Sequence, residues 1–96
     1  MLVLVTYDVS TETKEGRYRL NRVAKKCVAY GQRVQNSVFE CNLDWDQYLK
    51  LQNDLKKIIK QDEDSLRFYN LGNSYKEKVV HIGVKPSILL DNDLII

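Results

Sequence analysis

Proline, histidine and tryptophan each occur once in this chain, beside four glycines and two cysteines. Each scarcity excludes something. No stretch is rich in proline, glycine or serine, so there is no linker or low-complexity segment. Residues 1–96 are therefore expected to form a single domain. The apolar start, six residues from Met1 to Thr6, is too short for a membrane span and has no basic residues before it. A cytoplasmic protein with no membrane partner is expected. Cys27 and Cys41 lack the spacing of a zinc site and read as buried thiols. His81 lies between apolar neighbours on an apparent strand, where a packed, hydrogen-bonded role outweighs that of a ligand. With no Ser-His or Cys-His pairing in view, triad chemistry has no support, and no glycine-rich loop is present to cradle a phosphate.

What is present is organised around the first ten residues, MLVLVTYDVS. Valine and leucine occupy both parities of this strand, which predicts cover on both of its faces. Asp8 emerges where the apolar run meets the polar loop Ser10-Thr11-Glu12-Thr13. A strand end holds a charged group rigidly and a loop gives it solvent, so Asp8 is the first candidate for chemistry. A turn-forming aspartate explains the same residue without any function.

The net charge of +2 is unevenly divided. Residues 1–33 carry seven Lys/Arg against three acids, and residues 34–96 carry eight against ten. The excess therefore lies around the first helix. A phosphate backbone is one partner for such a face, and plain solvation is the other explanation.

That helix is predicted over 15–30. Leu20, Val23, Ala24 and Cys27 share one stripe, Thr11 or Thr13 caps the start and Gly31 stops it. Arg19, Arg22, Lys25 and Lys26 fall on the outer surface, and Arg17 sits one turn in, near Asp8. The stretch Arg33-Val34-Gln35-Asn36-Ser37-Val38-Phe39-Glu40-Cys41 alternates like a strand but places polar groups on both faces. Arg33, Ser37 and Phe39 share one parity, a cation, hydroxyl and aromatic suited to nucleic acid; a solubilised edge is the alternative. Asn42 or Asp44 opens a second helix, with Asp44 and Gln47 as a capping box and Tyr48, Leu51, Leu55, Ile58 and Ile59 as its buried stripe. Trp45 is expected to cover its open end. Asp62-Glu63-Asp64-Ser65 reads as a solvated turn. Two strands follow, over 66–71 and 79–84, and the second ends at Pro86. The apolar residues 89–90 and 94–96 suggest an extra strand or flap.

These elements suit an α+β ferredoxin-like sandwich with both helices on one face of an antiparallel sheet. That order requires 32–41 to hold one long or two short strands. One sheet face then lacks cover, which predicts a symmetric homodimer.

The strand ending Tyr7-Asp8-Val9-Ser10, the helical run Gly16 to Lys25 and the segment Gly31 to Cys41 together resemble the CRISPR-associated protein 2 family. The middle segment is similar to members accompanying type I-C systems. The resemblance implies a ferredoxin-like homodimer with metal-dependent phosphodiesterase activity on RNA or duplex DNA. It also implies a bridge between dimers of the CRISPR integrase during spacer acquisition. Asp8 matches the family's metal aspartate and Tyr7 its neighbouring aromatic. Arg17 and Arg19 match its helix-one arginines, and Arg33, Ser37 and Phe39 its second-strand residues. The C-terminal segment matches the family's swapped final strand.

If two Asp8 side chains approach across the dimer, one Mg2+ has a place between them and a phosphate. Arg17, Arg19 or Arg33 would neutralise charge on phosphate oxygens, with Arg22 and Lys25 extending the basic face and Ser37 and Phe39 orienting substrate. A non-catalytic DNA-binding adaptor of the spacer-integration complex is the alternative, and a toxin-type RNA nuclease of the same fold a more distant one.

Overall fold

A computed structural model describes residues 1–84. The order is β1 (Leu2–Asp8), α1 (Lys14–Val28), β2 (Gln32–Gln35), β3 (Val38–Asn42), α2 (Trp45–Ile58) and β4 (Ser65–Asn70). The strands form one antiparallel sheet in the order β2-β3-β1-β4. This is the ferredoxin-like arrangement that the sequence predicts. The polar stretch 32–42 resolves into two short strands joined at Asn36 and Ser37.

Local chemistry sets the helix ends. The Thr13 hydroxyl accepts from the Gly16 N–H at 3.0 Å and starts α1. In α2 the Gln47 N–H donates to Asp44 at 2.7 Å and the Gln47 side chain accepts from the Asp44 N–H at 3.0 Å. Gly31 lies beyond the end of α1, which is capped at Ala29. Its role is space: a Cβ there would meet the Glu40 carbonyl and Cys41.

The sheet has two unequal faces. Val3, Val5 and Tyr7 of β1 point toward the helices, in register with Cys41, Phe39, Phe68 and Leu66. With Val23 and Cys27 of α1 and Leu51, Leu55 and Ile58 of α2 they make the core. Each fully buried Leu or Phe there contributes roughly 1.5–3 kcal/mol of transfer free energy. Burial pushes the free thiols of Cys27 and Cys41 up to about 12 and about 11, so both stay protonated and inert. The opposite face carries Leu4, Thr6 and Asp8 of β1, with Val38, Ser65, Arg67 and Tyr69 in register beside them. Leu4 and Thr6 are only half-buried. The cover predicted for both faces of β1 is therefore complete on the helix side alone.

Three expectations need correction. Residues 79–84 form no strand; Val80, Ile82 and Val84 are exposed. Among the described residues the segment pairs with neither open edge, β2 or β4, and alternation alone does not supply the partner that a strand needs. His81 is accordingly exposed, its Nε2 lying 2.6 Å from the Val84 carbonyl oxygen. Trp45 is exposed and meets Tyr48 edge-on at 5.6 Å instead of sealing the helix end. The extra strand expected over residues 89–96 lies outside the described residues. Among the described residues no helix is long and apolar enough to cross a membrane.

Candidate nucleic-acid interface

Asp8 is the last residue of β1, exposed on the open sheet face directly opposite Ser65. Its carboxylate makes no hydrogen bond or ion pair with the described residues. The backbone around it is tightly held. Two residues on, the Ser10 N–H donates to Asp64 Oδ1 at 3.0 Å. A Cβ on Gly16 would run into the Ser10 carbonyl oxygen, so the loop presses directly onto α1. Arg17 donates from Nη1 to the Thr11 carbonyl at 3.1 Å, which brings an exposed guanidinium to the loop that follows Asp8.

The other cations differ sharply in availability. Arg22 and Lys25 are exposed on α1, and Arg22 lies 5.8 Å from the Tyr18 ring centroid. Arg33 is exposed on β2, with its guanidinium 5.2 Å from the Phe39 centroid. Arg19 is largely covered: its Nε donates to Asp64 Oδ2 at 2.7 Å and its Nη2 reaches Glu63 at 3.3 Å. Lys60 adds a backbone N–H to the same Asp64 oxygen at 2.9 Å. Desolvation disfavours the Asp64 charge, but these donors outweigh it and hold the carboxyl below the usual carboxylate range.

Phe39, expected to orient a substrate, and Tyr7, expected beside the metal aspartate, are both buried. Phe39 is 0% exposed and stacks on Tyr7 at 6.1 Å, because β3 runs inside the sheet and its odd positions face the helices. Tyr7 is buried too, and its hydroxyl donates to the Asn36 carbonyl at 3.3 Å. Burial raises the Tyr7 phenol while Arg33 pulls it the other way. Both rings act through packing. Ser37 is half-buried in the β2–β3 turn, and its carbonyl accepts from the Tyr7 N–H at 3.1 Å. Arg33 and Phe39 share a face as predicted, while Ser37 belongs to the turn.

Sequence reasoning missed Asp64, read as a solvated turn residue and in fact buried with four donors around it. No local signal marks it, since its ion-pair partner is forty-five residues away. It also passed over Arg67 and Tyr69, which share the open face with Asp8 and bond to each other at 3.1 Å. Their alternation with Leu66 and Phe68 identifies that face once the register is known. No group of three potential metal ligands occurs among the described residues.

Fold and site define a small ferredoxin-like α+β protein with one exposed carboxylate at the end of its first strand and a basic first helix. The chain belongs to the CRISPR associated protein Cas2 family, whose model matches residues 1–79. It is 58% identical over 95 residues to a Halalkalibacterium halodurans protein named CRISPR-associated endonuclease Cas2, covering 99% of each chain. It is 54% identical over 96 residues to the CRISPR-associated endoribonuclease Cas2 of Chlorobaculum tepidum, covering 100% of each. A crystal structure of Streptococcus pyogenes Cas2 superposes with a TM-score of 0.76 at 53% identity, covering 86% of this chain and 100% of that one.

Proposed function

We propose that this chain is a metal-dependent endonuclease of the CRISPR adaptation machinery, cutting phosphodiester bonds in RNA or duplex DNA and bridging integrase dimers. The observation that carries the reading is Asp8: an exposed carboxylate, unpaired among the described residues, on a rigid strand end whose following loop holds the exposed Arg17 guanidinium. The names of the relatives, endonuclease and endoribonuclease, support it.

One carboxylate per chain fits Mg2+, which keeps several waters and takes one or two carboxylates plus substrate phosphates. Asp8 would hold it. A bound Mg2+ supplies Lewis-acid charge to a phosphoryl oxygen and to the attacking water. The remaining work belongs to the chain. Arg17, Arg22, Lys25 and Arg33 attract and align the nucleic-acid backbone. The turn at Ser37 borders the same sheet and limits how a strand lies across it. A homodimer joins two open faces and brings a second Asp8 to the site. It also covers the apolar segment with Ile82, which is 89% exposed in the single chain.

The test is cleavage of labelled duplex DNA and single-stranded RNA, with Mg2+ and with EDTA, by wild type and Asp8→Ala. Metal-dependent cutting lost in the variant supports the reading and names the substrate. Equal cutting by both proteins, or none by either, overturns it and leaves the DNA-binding adaptor.

A further inference from the structure

We infer that Asp64 and Arg19 form a positioning pair that fixes the backbone carrying Asp8, so that Arg19 acts through Asp64 and not by touching a phosphate. The inference rests on the reading that Asp8 carries the endonuclease activity.

Asp64 has no spare capacity for a ligand. Oδ1 accepts from the Ser10 N–H at 3.0 Å and from Arg19 Nη2 at 3.3 Å; Oδ2 accepts from Arg19 Nε at 2.7 Å and the Lys60 N–H at 2.9 Å. The side chain is 0% exposed. Its four donors come from the loop after β1, from α1 and from the chain just beyond α2. Asp64 itself immediately precedes β4. One carboxylate thus ties the loop after β1 to α1, to the chain beyond α2 and to the start of β4.

Asp8 lies between two of these ties. Its ladder partner is Ser65, adjacent to Asp64, and Ser10, which Asp64 holds, follows two residues later. The Ser10 carbonyl is pressed against Gly16 from the other side. The reacting carboxylate therefore stands on backbone held at both ends, and a displacement of about 1 Å at such a group costs on the order of 100-fold in rate. Arg19 is a poor phosphate ligand here. Its Nε and Nη2 are engaged by Asp64 and Glu63, and its side chain is only 13% exposed.

Wild type, Arg19→Lys, Arg19→Gln and Asp64→Asn are compared by three readouts: kcat and KM for labelled RNA and DNA, the salt dependence of duplex DNA binding, and hydrogen exchange at the Ser10 amide. Arg17→Ala serves as the exposed-cation comparison. The expected result is kcat lowered about ten-fold or more in Arg19→Lys and Asp64→Asn, with KM within about two-fold. Ser10 exchange should quicken about ten-fold while the central β1 amides stay protected. The salt slope should stay unchanged in Arg19→Gln and fall by about one in Arg17→Ala. Lysine preserves a phosphate contact but not this two-pronged geometry. Full kcat in Arg19→Lys, or a reduced salt slope in Arg19→Gln, overturns the proposal. Should Arg19→Gln or Asp64→Asn lose protection throughout β1, Arg19→Lys alone decides by the same exchange and rate criteria. A wild type that cuts neither nucleic acid removes the endonuclease reading. Ser10 exchange then decides the clamp: faster exchange in the variants supports it and equal exchange overturns it.

Discussion

Phe39 sits opposite Arg33 in the β2–β3 ladder, with the Arg33 guanidinium 5.2 Å from its ring centroid and the Tyr7 ring 6.1 Å away. The cation keeps its charge at the solvent edge of the sheet while covering an aromatic that no solvent reaches. Arg33 is thus both the lid of the core and part of the basic surface.

Phe39→Ala should therefore act through stability. Removing a fully buried ring costs about 3–5 kcal/mol, a large share of what a domain of this size possesses. Phe39→Leu refills most of the space and should remain folded and active. Urea midpoints measured beside cleavage rates check this. A stable Phe39→Ala protein with lost activity would show the ring meeting substrate instead.

Most of this arrangement was written in local pattern. The capping box at Asp44 and Gln47, the cap at Thr13 and the stripe Val23-Cys27 are decided by neighbours within one or two turns, so periodicity finds them. The β2–β3 hairpin was half legible, because the two residues of its turn, Asn36 and Ser37, include no glycine to announce it. The depth of Phe39 was not legible, since burial of a strand residue depends on which strands flank it. Residues 79–84 alternate like a strand, but a strand needs a partner edge, and periodicity says nothing about that. In the candidate site Asp8 and the exposed cations were legible, while Asp64 required the tertiary fold.

Asp8→Asn should separate chemistry from folding. The side chain is exposed and forms no bond with the described residues, so stability should change by no more than about 0.5 kcal/mol. Cleavage should vanish. Thermal unfolding and cleavage measured on one preparation decide it; a parallel loss of both would make Asp8 structural.

Gly16→Ala tests the seat of the loop. Alanine gains roughly 1 kcal/mol in helix propensity over glycine. Here the new methyl group meets the Ser10 carbonyl, backbone that cannot swing aside, and overpacking costs about 1–3 kcal/mol. Net destabilisation, with reduced cleavage from a displaced loop, is the expected outcome. A gain in urea midpoint would show that the loop yields freely.

Ile82→Asp tests the surface assigned to a second copy. In the single chain Ile82 is exposed, so the substitution should leave the protomer's fold intact. In a dimer that buries it, a desolvated carboxylate is strongly unfavourable, and association should weaken by at least ten-fold. Sedimentation across a concentration series reads the change. An unchanged mass distribution would place the interface elsewhere.

Acid should expose the Asp64 clamp. Desolvation opposes the Asp64 charge, yet Arg19 and the N–H groups of Lys60 and Ser10 outweigh it, so the folded carboxyl lies below its unfolded value of about 3.9. A group whose folded pKa is depressed contributes stability above the unfolded pKa and loses it as pH falls through the folded one. Asp54 and Glu63 are shifted in the same direction, so wild-type acid unfolding alone does not isolate Asp64. The difference between wild type and Asp64→Asn does. Above about pH 5 the wild type should be more stable, because the variant leaves Arg19 facing an uncharged amide at a largely buried position. As pH falls below about 3.9 the unfolded carboxyl binds its proton first, the wild type loses this stability until the depressed folded pKa is passed, and the two urea midpoints should approach each other. A gap that stays constant down to pH 2 would mean that the Asp64 charge contributes nothing and that shape alone holds the loop.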